Sequence, residues 1–240
     1  MIPYGRQTID ESDVAAVAET LQSGWLTTGP KVAEFEQKFA ACVGAKHAIA
    51  VNNGTSALHL AMLAAQIGQG DRVVTSPNTF LASANCAAFV GATPDFVDVD
   101  PVSYTLCPEA LEANWQADAK AVVAVDYAGQ SADMPAIANV ARKHQAIVIE
   151  DACHGIGGKF EHGGETYAIG GHPWADMTTY SFHPVKTMTT GEGGMVVMND
   201  DDLADRCRTL RHHGMVRDPC LLYTSPSPRD QRGSRMPSSA

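Results

Sequence analysis

Residues 46–66, KHAIAVNNGTSALHLAMLAAQ, run from an apolar strand-like segment over 46–51 through Asn52-Asn53 into a helical pattern over 54–66. A strand that feeds straight into a helix is the building unit of α/β sheets with helices packed on their faces. The alternation repeats on both sides of this stretch. Strands are predicted at 72–75, 93–98, 120–125, 146–150, 175–181 and 194–198, and helical patterns fall near 79–90, 108–113 and 133–144. Thr79 and Asp133 stand where N-caps are needed, and a further helix should begin near Asp200. Upstream, Asp10 opens an amphipathic helix that ends at Ser23-Gly24, and a second helix runs from about Lys31 to Val43. Both are expected on the outside of the sheet. At 240 residues the chain suits one large α/β domain.

Composition narrows the function classes. A formal charge of −10 leaves no basic face for nucleic acid, so a nucleic-acid partner is excluded and small-molecule chemistry is expected. No apolar run approaches a bilayer's thickness, which excludes a membrane protein. The start, MIPYGRQTIDESD, lacks the basic and apolar segments of a secretory signal, so a cytoplasmic location is expected. Cys42, Cys86, Cys107, Cys153, Cys207 and Cys220 stand singly, without CxxC spacing, so neither a disulfide framework nor a metal site is expected. The last stretch, residues 220–240 (CLLYTSPSPRDQRGSRMPSSA), loses the apolar periodicity and carries three Arg against one Asp. It resembles translated adapter or vector sequence appended near Pro219, the alternative being a native disordered tail. Residues 1–219 are then an incomplete protein.

Four places, each just past a predicted strand end, carry candidate chemistry. Tyr180-Ser-Phe-His-Pro-Val-Lys186 leads into a Gly- and Thr-rich loop. A lysine desolvated there is a nucleophilic amine able to form a Schiff base, although most lysines are solvated surface charges. Asn53-Gly54-Thr55-Ser56 opens a helix whose free N–H groups and hydroxyls suit a phosphate dianion; the same residues serve equally as a capped turn. Glu150-Asp151-Ala-Cys-His154 ends an apolar strand, and its carboxylate either pairs with a protonated pyridine nitrogen or caps the strand. Phe80, in Pro77-Asn-Thr-Phe80, either stacks on a planar ring or packs in the core. Strand ends are where ligands of open α/β sheets collect, and the four together describe a pyridoxal phosphate (PLP) site.

Read in order, WLTTGPKVAEFE, NNGTSALHLAM, SPNTFLASAN, EDACHGIGG and SFHPVKTMTTGEGG closely resemble the DegT/DnrJ/EryC1/StrS family of sugar aminotransferases, with a similarity covering residues 1–219. The resemblance implies the large domain of a type I PLP-dependent transferase. Its sheet would be seven-stranded and mostly parallel with helices on both faces, and the smaller C-terminal domain would be missing. It implies that Lys186 carries the cofactor and moves the substrate proton. Asp151 would face the pyridine nitrogen, His154 the ring 3-hydroxyl, and Phe80 the ring. Gly54, Thr55, Ser56 and Ser181 match phosphate ligands, and Gln130 looks like a ring-side contact. Tyr4 and the turn Gly24-Trp25-Leu26-Thr27 are placed near a nucleotide-sugar substrate, although Tyr4 equally packs an N-terminal arm and Trp25 a core. Glutamate would be the amino donor, and the parent protein a homodimer. The opening Ile2-Pro-Tyr4-Gly-Arg-Gln7 and the FHPVK block are most similar to the branch of the family that aminates a UDP-linked precursor of pseudaminic acid.

Overall fold

The computed structural model describes residues 5–215, so Tyr4 and the tail expected at 220–240 lie outside the described residues. Its centre is a seven-stranded sheet of β1 (His47–Val51), β2 (Arg72–Thr75), β3 (Thr93–Phe96), β4 (Ala119–Val125), β5 (Ile147–Asp151), β8 (Met177–Ser181) and β9 (Gly194–Met198), in the order β1-β9-β8-β5-β4-β2-β3. The pairs β2–β3, β2–β4, β4–β5 and β5–β8 are parallel, while β9 runs antiparallel to both β8 and β1. Six strands therefore point one way, and their C-terminal ends share one edge.

Both faces are covered. Alternation along each strand sends successive side chains to opposite sides. Ile49, Val123, Ile149 and Val196 pack under α3 (Gly54–Ala64), α4 (Ala82–Phe89) and α7 (Asp201–Arg211). Val122, Ala124 and Val148 face α5 (Pro108–Ala113) and α6 (Met134–Lys143). This two-sided burial explains why the strands read as continuous apolar runs.

Most elements fall where the sequence predicts them, with four differences. α1 (Glu11–Gln22) starts at an Asp10–Asp13 capping box and buries no residue, as expected of an outer helix. α2 (Pro30–Val43) is not an outer helix, because Phe39, Ala40 and Val43 are buried and the Phe39 ring meets Tyr180 edge-on at 5.0 Å. The predicted helix at 79 begins instead at Ala82, since the Thr79 hydroxyl pairs with Ser83 Oγ at 2.7 Å and gives no cap. Asp133 and Asp200 do cap α6 and α7, accepting from the N–H groups of Ala136 and Leu203. The third strand stops at Phe96 because its partner β2 ends at Thr75. A hairpin of β6 (Lys159–His162) and β7 (Glu165–Ala168) was not foreseen; its turn, Gly163-Gly164, has positive φ at both positions. That is the geometry a two-residue hairpin turn needs.

The strand-to-helix turn after β1 is locked by close packing. A methyl group at Gly194 would collide with the Asn53 carbonyl and lie 2.9 Å from the Gly54 nitrogen. Gly194→Ala is therefore expected to lower stability in urea unfolding by about 1–3 kcal/mol. Gly24→Ala, where nothing lies within 4 Å, should change it by less than about 0.5 kcal/mol.

Candidate active site

A cavity of about 570 Å³ opens at the edge where the parallel strands end. The start of α3 forms one wall. Asn53 Oδ1 accepts the Ser56 N–H at 2.7 Å, which leaves the first-turn N–H groups of Gly54 and Thr55 without intrahelical partners. Gly54 has no room for a side chain: a Cβ there would sit 2.9 Å from Ser181 Cβ and 3.0 Å from Cys153 Sγ. The glycine thus brings bare amides up to Ser181 at the end of β8. Donors and a helix N-terminus in such a corner favour an anion.

Asp151 occupies the end of β5, buried at 6% exposure. Its Oδ2 accepts from Ser83 Oγ at 2.6 Å and its Oδ1 from the Cys153 N–H at 3.2 Å. With the one Ser83 proton committed to Asp151, Thr79 is the donor in the Thr79–Ser83 contact. The carboxylate is held in a fixed orientation at the cavity wall and keeps lone pairs for a further donor.

Lys186, on the loop after β8, reaches the same cavity, and its Nζ lies 2.7 Å from His154 Nε2. Burial, with the lysine charge second, pushes the His154 imidazole below its ordinary range. A neutral ring accepts from the amine, so Nε2 is its unprotonated nitrogen. The nearby Cys153 thiol is pushed up, by burial first and Asp151 second, and stays protonated.

The structure brings Lys186, Asp151, His154, Phe80, Gly54, Thr55 and Ser181 to one cavity. Phe80 is 72% exposed, so its core-packing alternative is overturned and its ring is open to the cavity. Three other expectations are not brought there. Ser56, one step further round α3, turns toward a neighbouring hollow that it shares with Thr27. Gln130 lines a separate hollow beside Asp133, and its amide donates to the Ser131 carbonyl at 3.2 Å. Gly24, Trp25 and Leu26 are exposed and off the cavity wall, which also removes the core reading of Trp25. Sequence reasoning missed Ser83, the orienting partner of Asp151, and Asp126, which follows the apolar run of β4 as Asp151 follows that of β5. Among the described residues no cluster suited to a metal ion occurs, and no helix is long and apolar enough to cross a membrane.

The model of the DegT/DnrJ/EryC1/StrS aminotransferase family matches residues 7–225. This chain belongs to that family. A curated relative, spore coat polysaccharide biosynthesis protein SpsC of Bacillus subtilis, is 46% identical over 224 residues, 93% of this chain and 56% of SpsC. The sugar aminotransferase Spr1654 of Streptococcus pneumoniae, described as putative and solved in PMP and PLP forms, superposes in its PMP form with a TM-score of 0.84 at 28% identity. It covers 94% of this chain and 60% of that one. PseC of Helicobacter pylori, an aminotransferase involved in the biosynthesis of pseudoaminic acid, has a TM-score of 0.82 at 32% identity, covering 90% and 57%. The chain therefore spans a little over half the length of these DegT/DnrJ/EryC1/StrS relatives.

The His154–Lys186 contact makes a measurable prediction. In an NMR titration the His154 midpoint should lie below the ordinary imidazole value of about 6.5, and Lys186→Ala, which removes one of its two depressing influences, should move it upward.

Proposed function

We propose that the intact protein is a PLP-dependent aminotransferase that moves an amino group from glutamate to C4 of a 4-keto-6-deoxy nucleotide sugar, the substrate being the UDP-linked precursor of pseudaminic acid. The observation that carries the reading is the convergence of the Lys186 amine, the Asp151 carboxylate and the bare start of α3 on one cavity. The donor set fits the cofactor: an anion corner at Gly54, Thr55 and Ser181, a fixed carboxylate, an exposed aromatic ring at Phe80, and an amine. Membership of the family and the PLP and PMP forms of Spr1654 support the same cofactor. PLP supplies an aldehyde for amine exchange and a ring that withdraws electrons.

The chain's own groups then have definite tasks. The Gly54 and Thr55 amides and the Ser181 hydroxyl would hold the phosphate, and Asp151, oriented by Ser83, would hold a proton on the pyridine nitrogen. Phe80 covers the ring face and excludes water. Lys186, whose free Nζ rests on His154 Nε2, would hold the cofactor through its aldehyde group and would be the amine placed to carry the substrate proton. His154, 2.7 Å from Nζ on the same cavity wall, is the residue that would serve the ring hydroxyl. Tyr4 and the exposed Gly24–Thr27 turn are assigned to the nucleotide sugar in the assembled homodimer, while Ser56 and Gln130, in adjacent hollows, are given no part in holding the cofactor.

Residues 1–219 are assigned to the cofactor-binding large domain, overlapping the family match over 7–225, a smaller domain of the parent completing the site. A second reading applies to the 240-residue chain alone: spanning 56% of SpsC, it is a fragment that binds PLP without turnover. Two measurements test the proposal. Borohydride treatment of the intact protein should fix a pyridoxyl group on Lys186, and Lys186→Ala should reduce turnover at least about a hundredfold; full activity in that variant would contradict the assignment. Across a panel of UDP- and dTDP-linked 4-keto sugars, amination of a UDP sugar is expected, and activity confined to dTDP sugars would defeat the narrower substrate.

A further inference from the structure

A second cluster of ionisable groups adjoins the cavity through Asp126, which lines it, and continues through Glu150 to His172. Asp126, Glu150 and His172 are buried, at 0%, 0% and 1% exposure. Glu150 has two donors: His172 Nε2 at 2.9 Å from Oε1 and Thr178 Oγ1 at 2.8 Å from Oε2. His172 Nδ1 accepts the Trp174 N–H at 3.3 Å, so the single proton of a neutral ring sits on Nε2. Asp126 is supplied otherwise. The Ala132 N–H donates to Oδ1 at 2.9 Å, while no N–H or O–H among the described residues points at Oδ2. The carboxyl beside it is that of Glu150, whose partner across the β4–β5 pair is Ala124, two residues before Asp126 and on the same face. Two carboxylates offer only acceptors, and they share a hydrogen bond only when one carries a proton. Glu150, with its two donors, is the better anion, so the proton belongs to Asp126.

We propose that Asp126 is a proton-holding positioning acid at the cavity wall: its Oδ2 retains a proton, donates it to Glu150, and so pins the end of β4 against the end of β5 that carries Asp151. The Asp126 N–H also donates to the Asp151 carbonyl at 3.1 Å, and the Asp126 carbonyl accepts from Gly129, tying the turn after β4 to the same point. The other ionisable groups that face Asp126 are Asp151 on β5, Cys153 beyond it and Tyr180 on β8. None is a cation, and the Tyr180 hydroxyl is committed to the Ile169 carbonyl at 2.8 Å. Burial, followed by the charge of Glu150, holds the Asp126 carboxyl well above the usual carboxylate range. The end of β5 pinned in this way is the one that carries Asp151 at the cavity wall; its use by a cofactor rests on the function proposed above.

The test uses the cofactor-free chain. Because the folded state keeps a proton that an unfolded aspartate releases above about pH 4, stability falls as pH rises toward the folded-state pKa. Asp126→Asn retains a donor toward Glu150 and an acceptor for Ala132 but does not titrate. The ratio of unfolding constants, native chain over Asp126→Asn, should therefore rise by up to about tenfold per pH unit between pH 4.5 and that pKa. A ratio constant with pH would overturn the protonated state. In hydrogen exchange, the 147–154 segment should match the native chain in Asp126→Asn and exchange at least about tenfold faster in Asp126→Ala, or that variant should fail to fold while Asn rescues it. Unchanged exchange in Asp126→Ala would overturn the positioning role. Absence of PLP uptake by the intact native protein would instead count against the proposed function and leave these cofactor-free readouts standing.

Discussion

The backbone of Gly54 lies against Ser181 and Cys153 with no space for a side chain, and the site depends on that contact. It presses the first turn of α3 onto the ends of β8 and β5, so first-turn amides, the Asp151 carboxylate and the loop bearing Lys186 share one hollow. Gly194 makes the same approach from the other side, against Asn53 and Gly54. Parallel pairing supplies the frame: six strands of one direction deliver their following loops to one edge. A single antiparallel strand, β9, returns the chain after the lysine loop and seats β1 beside it.

Two layers of carboxyl groups meet at this edge, and strand alternation separates them. Asp151 faces the cavity, with a hydroxyl and an amide fixing its oxygens. Glu150 faces the other way, into a buried network with His172 and Thr178, and Asp126 stands between that network and the cavity. Like charges so near one another in the interior would be costly, and the cost falls when one group keeps its proton. Partial burial, with the Lys186 charge second, holds the His154 imidazole below its ordinary range.

The strands and the long helices were legible because two-sided burial writes itself as runs such as VVAV and AIVIE, and because Asp133 and Asp200 announce their helices by type. The hairpin at 159–168 escaped because Lys159, Glu161, Glu165 and Thr166 leave no apolar run, although Gly163-Gly164 was a usable turn signal. α2 was misplaced since its buried residues, Phe39, Ala40 and Val43, cluster at its last turns only. In the site, residues at strand ends could be read from position, which is how Lys186, Asp151 and Gly54 were found. Ser83 could not, since its role depends on α4 swinging one hydroxyl across 68 residues of chain to Asp151. Ser56 and Gln130 were drawn in by their neighbours in sequence, whereas helix rotation and the turn after β4 direct them to adjacent hollows.

The most direct measurement is a crystal structure of the intact protein grown with PLP. The account predicts phosphate on the Gly54 and Thr55 amides, the pyridine nitrogen within hydrogen-bonding distance of Asp151, and continuous density from the cofactor to Lys186 Nζ. A cofactor seated elsewhere, with the Lys186 amine still resting on His154 and Asp151 facing only solvent, would contradict it.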